Sequence, residues 1–369
     1  MDVIALTQQL IAFESTNPPG NEAKISQFLE GLLTDAGIET TSVPVKGHGD
    51  VLIAHLPGAS RDGIIFTGHM DVVPVSDAEA SRWTTNPFEG VLQEGRLYGR
   101  GSADMKGGLA AGLCALISLK EQGITPTRDL FLVATVDEED SMLGSKAVYD
   151  HPLLEDAREV VVMEPTKMAL CTAGRGRTYG SLTFQGQTGH GSGGVSQGNA
   201  ILLAQHFMEE MGKVSLSVHP TYGASFWQPV AIHAGVEPCV VPDHCTLKID
   251  ARLHPCHETA DIWEKVDTIL QHLQLKEQTY LLIHDRREGW ETREGDFFHR
   301  MVSSMEEVGL PLSTDTFPGT TDGSIFRRKD REILIIGPGD LAHVHRENEF
   351  VDVADLLRAE QLYRALMMR

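Results

Sequence analysis

Apolar positions recur at helical spacing from the start of the chain. Val3, Leu6, Leu10 and Phe13 fall on one face, and Asn17-Pro18-Pro19-Gly20 then supplies a turn. Ile25, Phe28, Leu29, Leu32 and Leu33 repeat the pattern, with Gly37 placed to end a second helix. The short apolar runs 38–45, 51–56 and 64–67 predict strands. A helix over about 106–119, closed by Gly123, precedes the runs 130–136 and 160–163. Both runs are continuously apolar, as in strands covered on two faces. Strands alternating with helices predict an α/β fold with a mostly parallel sheet.

The middle of the chain has another rhythm. Strand 181–185, helix 199–211, strands 230–234 and 245–253, helix 259–273 and strand 279–284 give the order βαββαβ, a ferredoxin-like α+β unit. A helix near 296–308, a strand at 333–336 and a last helix from Val353 then resume the α/β pattern. The expected organisation is a discontinuous domain, 1–175 and 287–369, carrying an inserted domain, 176–286.

Composition narrows the function. With 369 residues and ~150 per domain, two domains are expected, and 41% hydrophobic residues suffice for their cores. Asp plus Glu number 52 against 31 Lys plus Arg, a formal charge of -21. That balance opposes binding to nucleic acid or an anionic membrane, both of which need clustered positive charge. No apolar run approaches the ~18 residues of a spanning helix. Met1-Asp2-Val3 lacks the basic-then-apolar signature of a secretory signal. Five scattered cysteines make no disulfide framework. A cytoplasmic protein without nucleic-acid or membrane partners is expected.

The chemistry lies after the strands, where open α/β sheets bind ligands. Run 64–67 leads into Gly68-His69-Met70-Asp71, run 130–136 into Asp137-Glu138-Glu139-Asp140, and run 160–163 into Glu164-Pro165. Run 333–336 leads into Gly337-Pro338-Gly339 and on to His343 and His345. Taken singly, such a histidine is usually a polar loop residue, and Glu138-Glu139 a solvated loop tip. Four strand ends delivering imidazole and carboxylate together suit zinc, cobalt or manganese. Asp104, in Gly99-Arg100-Gly101-Ser102-Ala103-Asp104, is a further ligand candidate. Asp71 fits a carboxylate that fixes the His69 tautomer.

Gly68-His69-Met70-Asp71-Val72-Val73-Pro74, the stretch from Gly99 to Gly108, Asp137-Glu138-Glu139, Met163-Glu164-Pro165-Thr166 and His345-Arg346-Glu347-Asn348-Glu349 resemble one signature. It is that of the co-catalytic zinc amidohydrolases: acetylornithine deacetylase, succinyl-diaminopimelate desuccinylase, aminoacylase and glutamate carboxypeptidase. The likeness runs from Ile4 to the C-terminus. It implies two metal ions bridged by Asp104, one held by His69 and Glu164, the other by Glu139 and His345. Zinc is the first choice, cobalt or manganese the alternatives. Glu138 would be the general base, Asp71 would support catalysis, His343 would be a neighbour, and the Asp104-Met105 peptide would be cis. Zinc can lower the pKa of bound water from 15.7 to about 7.

The resemblance also makes the inserted domain a lid and dimerisation domain of a homodimer. His190 in Gly186-Gln187-Thr188-Gly189-His190 would stabilise the oxyanion in the neighbouring subunit. Arg252, opposite in face to Leu247, Ile249, Ala251 and Leu253, would grip the substrate carboxylate, with an ion pair to a nearby acid as the plainer alternative. Asn199 and Thr321 would also bind substrate. The implied reaction is hydrolysis of a small N-acyl amino acid, acetylornithine deacetylase-like. A succinyl-diaminopimelate desuccinylase, a dipeptidase or carboxypeptidase, and a non-catalytic binding protein on this fold are the alternatives.

Departures bear on the substrate. Cys239 stands where the family usually has Asn, and Arg175-Gly176 replaces Lys-Gly. Gly319-Thr320-Thr321-Asp322-Gly323 leans toward desuccinylases, Gly337-Pro338-Gly339 with His345 toward deacetylases. Gly194-Val195-Ser196-Gln197-Gly198 matches a serine-hydrolase elbow but lacks the strand that must precede one. Cys239, Cys245 and Cys256 form no Cys-x-x-Cys pair, and Gly99-x-Gly101 lacks the third glycine of a dinucleotide loop.

Overall fold

The structure, a computed structural model, describes residues 1–193, 198–235 and 238–369. Most of the serine-elbow pattern therefore lies outside the described residues. The chain divides into two compact units. One comprises Met1–Ala173, Thr292–Phe317 and Thr321–Arg369; the other comprises Gly174–Glu291 with Pro318–Thr320.

In the first unit, Leu130–Thr135, Gly63–His69, Ala157–Val162 and Glu332–Ile335 lie side by side and parallel, in that order. Every residue of Gly63–His69 and Leu130–Thr135 is buried, as their unbroken apolar runs require. Val51–Leu56 and Glu39–Val43 extend one side and Leu170–Gly174 the other, all antiparallel. The fold is thus α/β with a parallel centre and antiparallel margins. Helices Val3–Ile11, Gly107–Glu121 and Val353–Met367 pack on one another. Gly107–Glu121 is buried nearly all round, and a Cβ at Gly108 would collide with the Met163 carbonyl. Glycine there lets this helix approach the strand end that carries Glu164.

The second unit has a four-stranded antiparallel sheet in the order Phe226–Ala234, His244–Leu253, Gly176–Gln185, Thr279–Arg287. Helices Ala200–Met211 and Thr259–His272 complete the βαββαβ order. Leu182, Phe184, Phe207, Leu247, Ile249, Trp263 and Val266 form its core. Two strands begin earlier than the apolar pattern suggests. In the first, Gly180 faces the core, where an added Cβ would sit 2.6 Å from the Trp263 ring. In the other, a register shift falls between Pro229 and Ala231, which an edge strand tolerates. A small sheet of Val91–Gln93, Arg96–Tyr98 and Phe350–Asp352 has strands too short to show a period.

Candidate metal centre

His69 closes its strand with both ring nitrogens engaged. Nδ1 lies 2.9 Å from the main-chain carbonyl of Asp71, which can only accept, so Nδ1 carries the hydrogen. Nε2, 3.1 Å from Asp104 Oδ1 and 3.8 Å from Glu164 Oε1, is then the nitrogen whose proton a metal ion would replace. His345 Nε2 lies 3.1 Å from Asp104 Oδ2 and 3.1 Å from Glu139 Oε1. The two oxygens of Asp104 thus face different histidines. Donor atoms of His69, Asp104 and Glu139 lie within 4.8 Å of one another, as do those of His69, Glu138 and Glu164. His343 belongs to neither group; its ring packs 4.6 Å from that of Phe350. The Asp104-Met105 peptide is cis.

Two carboxylates hold the loops that present these donors. Asp71 is fully buried. Its Oδ1 accepts the N–H of Glu138 at 3.2 Å, and its Oδ2 accepts the N–H of Glu139 at 3.1 Å and Asn17 Nδ2 at 3.1 Å. Its nearer oxygen stands 3.6 Å from His69 Nδ1. The tautomer expected from the Asp71 carboxylate is therefore set by the Asp71 main chain, and the carboxylate positions the acidic pair instead. Glu349, also fully buried, accepts the N–H groups of Gly101, Ala103 and Asp104 on one oxygen and Arg100 on the other.

Behind Asp71, Asn17 Nδ2 also donates to Asp137 Oδ1 at 2.8 Å, and His48 lies between Glu22 at 3.0 Å and Asp137 at 3.6 Å. Sequence reasoning missed Asn17, Glu22 and His48. Glu349 was visible only as the end of a motif.

The electrostatics describe a site crowded with negative charge. Burial, then the Asp104 charge, pushes the Glu139 carboxyl up and the Glu164 carboxyl well up. For Asp104 burial acts in the same direction, but hydrogen bonds from His345 and His69 prevail and hold it below the usual carboxylate range. Hydrogen bonds to Asp104 and Glu139 lift His345 to about 11. Burial opposes a charge on His69, yet its Asp104 hydrogen bond and the surrounding carboxylates raise it well above its ordinary value. A buried set of imidazole and carboxylate oxygen donors crowded in this way fits divalent metal.

Thr321 is buried, and its Oγ1 accepts the N–H of Gly323 at 3.1 Å, so its hydroxyl shapes the turn into Gly323–Phe326. The other predicted residues belong to the second unit. His190 is exposed, with Nδ1 2.8 Å from Ser192 Oγ. Asn199 Oδ1 accepts the N–H of Ile201 at 3.0 Å and caps the helix Ala200–Met211. Arg252 Nε donates to Asp250 Oδ2 at 2.8 Å, and Arg177 Nε donates to the other oxygen at 2.7 Å. The five cysteines are free thiols.

Fold and site together define the class, a metal-dependent hydrolase with its donors gathered at the carboxyl ends of a parallel-centred α/β sheet. The chain belongs to peptidase family M20/M25/M40, whose family model matches residues 65–369. It is 27% identical to a succinyl-diaminopimelate desuccinylase of Delftia acidovorans, over 98% of this chain and 96% of that protein. Among solved structures it is similar to aminopeptidase PepT from Bacillus cereus, with TM-score 0.79 and 20% identity over 99% of this chain and 97% of that one. It is also similar to the Bacillus subtilis YXEP protein, described as a dinuclear metal binding peptidase. There the TM-score is 0.76 at 14% identity, over 99% and 96% of the two chains. At these identities the structural likeness is one of fold. Among the described residues no helix is long and apolar enough to cross a membrane.

Proposed function

We propose that this protein hydrolyses the amide of a small N-acyl amino acid using two divalent ions, zinc first, held by the cluster around Asp104. One observation carries the reading: each oxygen of a single buried aspartate lies 3.1 Å from a different histidine. Asp104 would be the shared ligand, with His69 and Glu164 holding one ion and Glu139 and His345 the other. When bound, such ions activate water at neutral pH and polarise the acyl oxygen. Glu138 takes the proton of the attacking water and returns it to the leaving amine, and its main chain is anchored on Asp71 at 3.2 Å.

The desuccinylase name of the Delftia relative and the sequence from Gly319 to Gly323 favour an N-succinyl acyl group over the N-acetyl group of an acetylornithine deacetylase. In this reading Arg252, already oriented by Asp250, binds the substrate carboxylate, and the second unit mediates a homodimer in which His190 acts. The exposed apolar residues Phe226, Val230 and Ile232 of its edge strand support a second copy as partner.

The test is metal analysis joined to a panel of N-succinyl amino acids, N-acetyl amino acids and dipeptides. Two ions per chain and chelator-sensitive turnover, highest on an N-succinyl acid, are expected. Turnover that survives chelation would overturn the metal reading, and a clear preference for dipeptides would overturn the substrate class. A monomer by sedimentation would remove the dimer.

A further inference from the structure

We infer that Glu349 is a positioning residue that makes Asp104 and His345 one rigid ligand pair. The inference rests on the metal reading above but assigns a residue outside that ligand set. Glu349 sits four residues after His345, and one of its oxygens accepts three N–H groups of the Asp104 loop: Gly101 at 2.9 Å, Ala103 at 3.1 Å and Asp104 itself at 3.2 Å. The other oxygen takes a charge-assisted bond from Arg100 at 2.7 Å. Its main-chain carbonyl accepts the N–H of Gly99 at 3.0 Å. Arg100 closes the connection by donating to the Arg346 carbonyl at 3.3 Å, one residue from His345.

The loop needs such an anchor. Its backbone turns at Gly101, φ +84°, and departs from helical angles at Asp104 and Met105 before the helix Gly107–Glu121 starts. The N–H groups of Gly101, Ala103 and Asp104 therefore find their acceptor in Glu349. With Glu349 in place, the 3.1 Å separation of His345 Nε2 from Asp104 Oδ2 is fixed by main-chain bonds to both partners' segments. Glu139 meets His345 at the same distance but is held from a different anchor, Asp71. Through Asp104 Glu349 touches both positions, but it acts more on that of Asp104, Glu139 and His345, where it bears on two of the three side chains, than on that of His69, Asp104 and Glu164, where it bears on one.

The test titrates metal-free protein with cobalt(II) and reads binding by calorimetry and visible absorption. Glu349→Gln keeps an acceptor oxygen but loses the charge that Arg100 and three N–H groups share. The variant should bind one ion about 10–100-fold more weakly and the other with a clearly smaller loss, since Asp104 serves both. Arg100→Lys, which keeps the charge and loses the fork, should weaken the same ion by less and serves if Glu349→Gln does not fold. A core variant with an equal loss of thermal stability, Leu366→Ala, should keep both affinities. Equal weakening of both ions, wild-type affinity for both, or the same loss in Leu366→Ala would overturn the assignment to Glu349. A wild type that takes up no divalent ion would instead overturn the metal reading on which it rests.

Discussion

Asp71→Asn separates two roles that a carboxylate beside a metal ligand can play. The wild-type side chain is fully buried and accepts three hydrogen bonds, from the N–H groups of Glu138 and Glu139 and from Asn17. Asparagine offers one acceptor oxygen. Placed at the Oδ2 position, it keeps two bonds in weaker, uncharged form and turns its NH₂ toward the N–H of Glu138. One bond to a charged acceptor is worth ~1.5–3 kcal/mol and a neutral one ~0.5–1.5. The loss, offset in part by removing a negative charge from an acidic neighbourhood, comes to about 2–4 kcal/mol. If 2 kcal/mol of it falls on the placement of Glu138, kcat/KM drops about 30-fold. The imidazole of His69 should stay in place, because its Nδ1 partner is the Asp71 carbonyl, which the substitution keeps. Urea unfolding of metal-free protein, metal analysis and steady-state kinetics form the assay. A variant with wild-type stability and kcat/KM would refute the loop-anchoring argument. One that loses the ion at His69 while keeping Glu138 in place would restore the carboxylate as the tautomer-setting group.

Three further outcomes are expected. Glu138→Gln should lower kcat by ~10²–10⁴-fold while leaving two ions per chain, and a metal-replete variant with retained activity would remove it as the base. Arg252→Ala should abolish the wild-type preference for an N-acyl amino acid over its carboxamide, read as a ratio of kcat/KM values, although part of any stability change will come from Asp250, left with Arg177 alone. His254 is buried, and burial followed by the neighbouring His257 and His219 lowers its pKa, so the folded state holds it neutral. Below its ordinary value of 6.5 the unfolded chain binds the extra proton first. Its contribution to stability is therefore complete above that value and is lost as pH falls toward the folded pKa. Urea midpoints for His254→Gln between about pH 5 and 8 should decline less steeply on the acid side than those of wild type; parallel curves would contradict this.

The parts legible in the sequence share one property, a local pattern. Runs such as 64–67 and 130–136 betray buried strands, and the residues after them mark the sheet edge, so His69, Glu138, Glu139 and Glu164 follow from position alone. What escaped depends on pairings across the chain. Nothing within a few residues of Asn17 signals its bond to Asp71, and a glutamate at 349 gives no sign that it holds the backbone of residues 101–104. Which group of Asp71 orients the His69 ring is hidden for a related reason. The spacing His69-x-Asp71 brings both the carbonyl and the carboxylate near the ring, and only geometry separates 2.9 Å from 3.6 Å. In the second unit the early part of Gly176–Gln185 escaped because Gly180 stands where a large apolar side chain would have announced a strand.

The chain order of the central sheet sets the timetable on which the protein becomes competent. Glu332–Ile335 inserts between Ala157–Val162 and Leu170–Gly174, strands made long before it, and His345 follows it. A nascent chain emerging from the ribosome has Asp104, Glu138, Glu139 and Glu164 in hand while this slot in the sheet is still open. It finishes the whole second unit, Pro318–Thr320 included, before the slot can be filled. In the reading proposed above, the position around Asp104, Glu139 and His345 is assembled only after Glu332–Ile335 takes its place, so ion uptake there would follow the insertion of that strand.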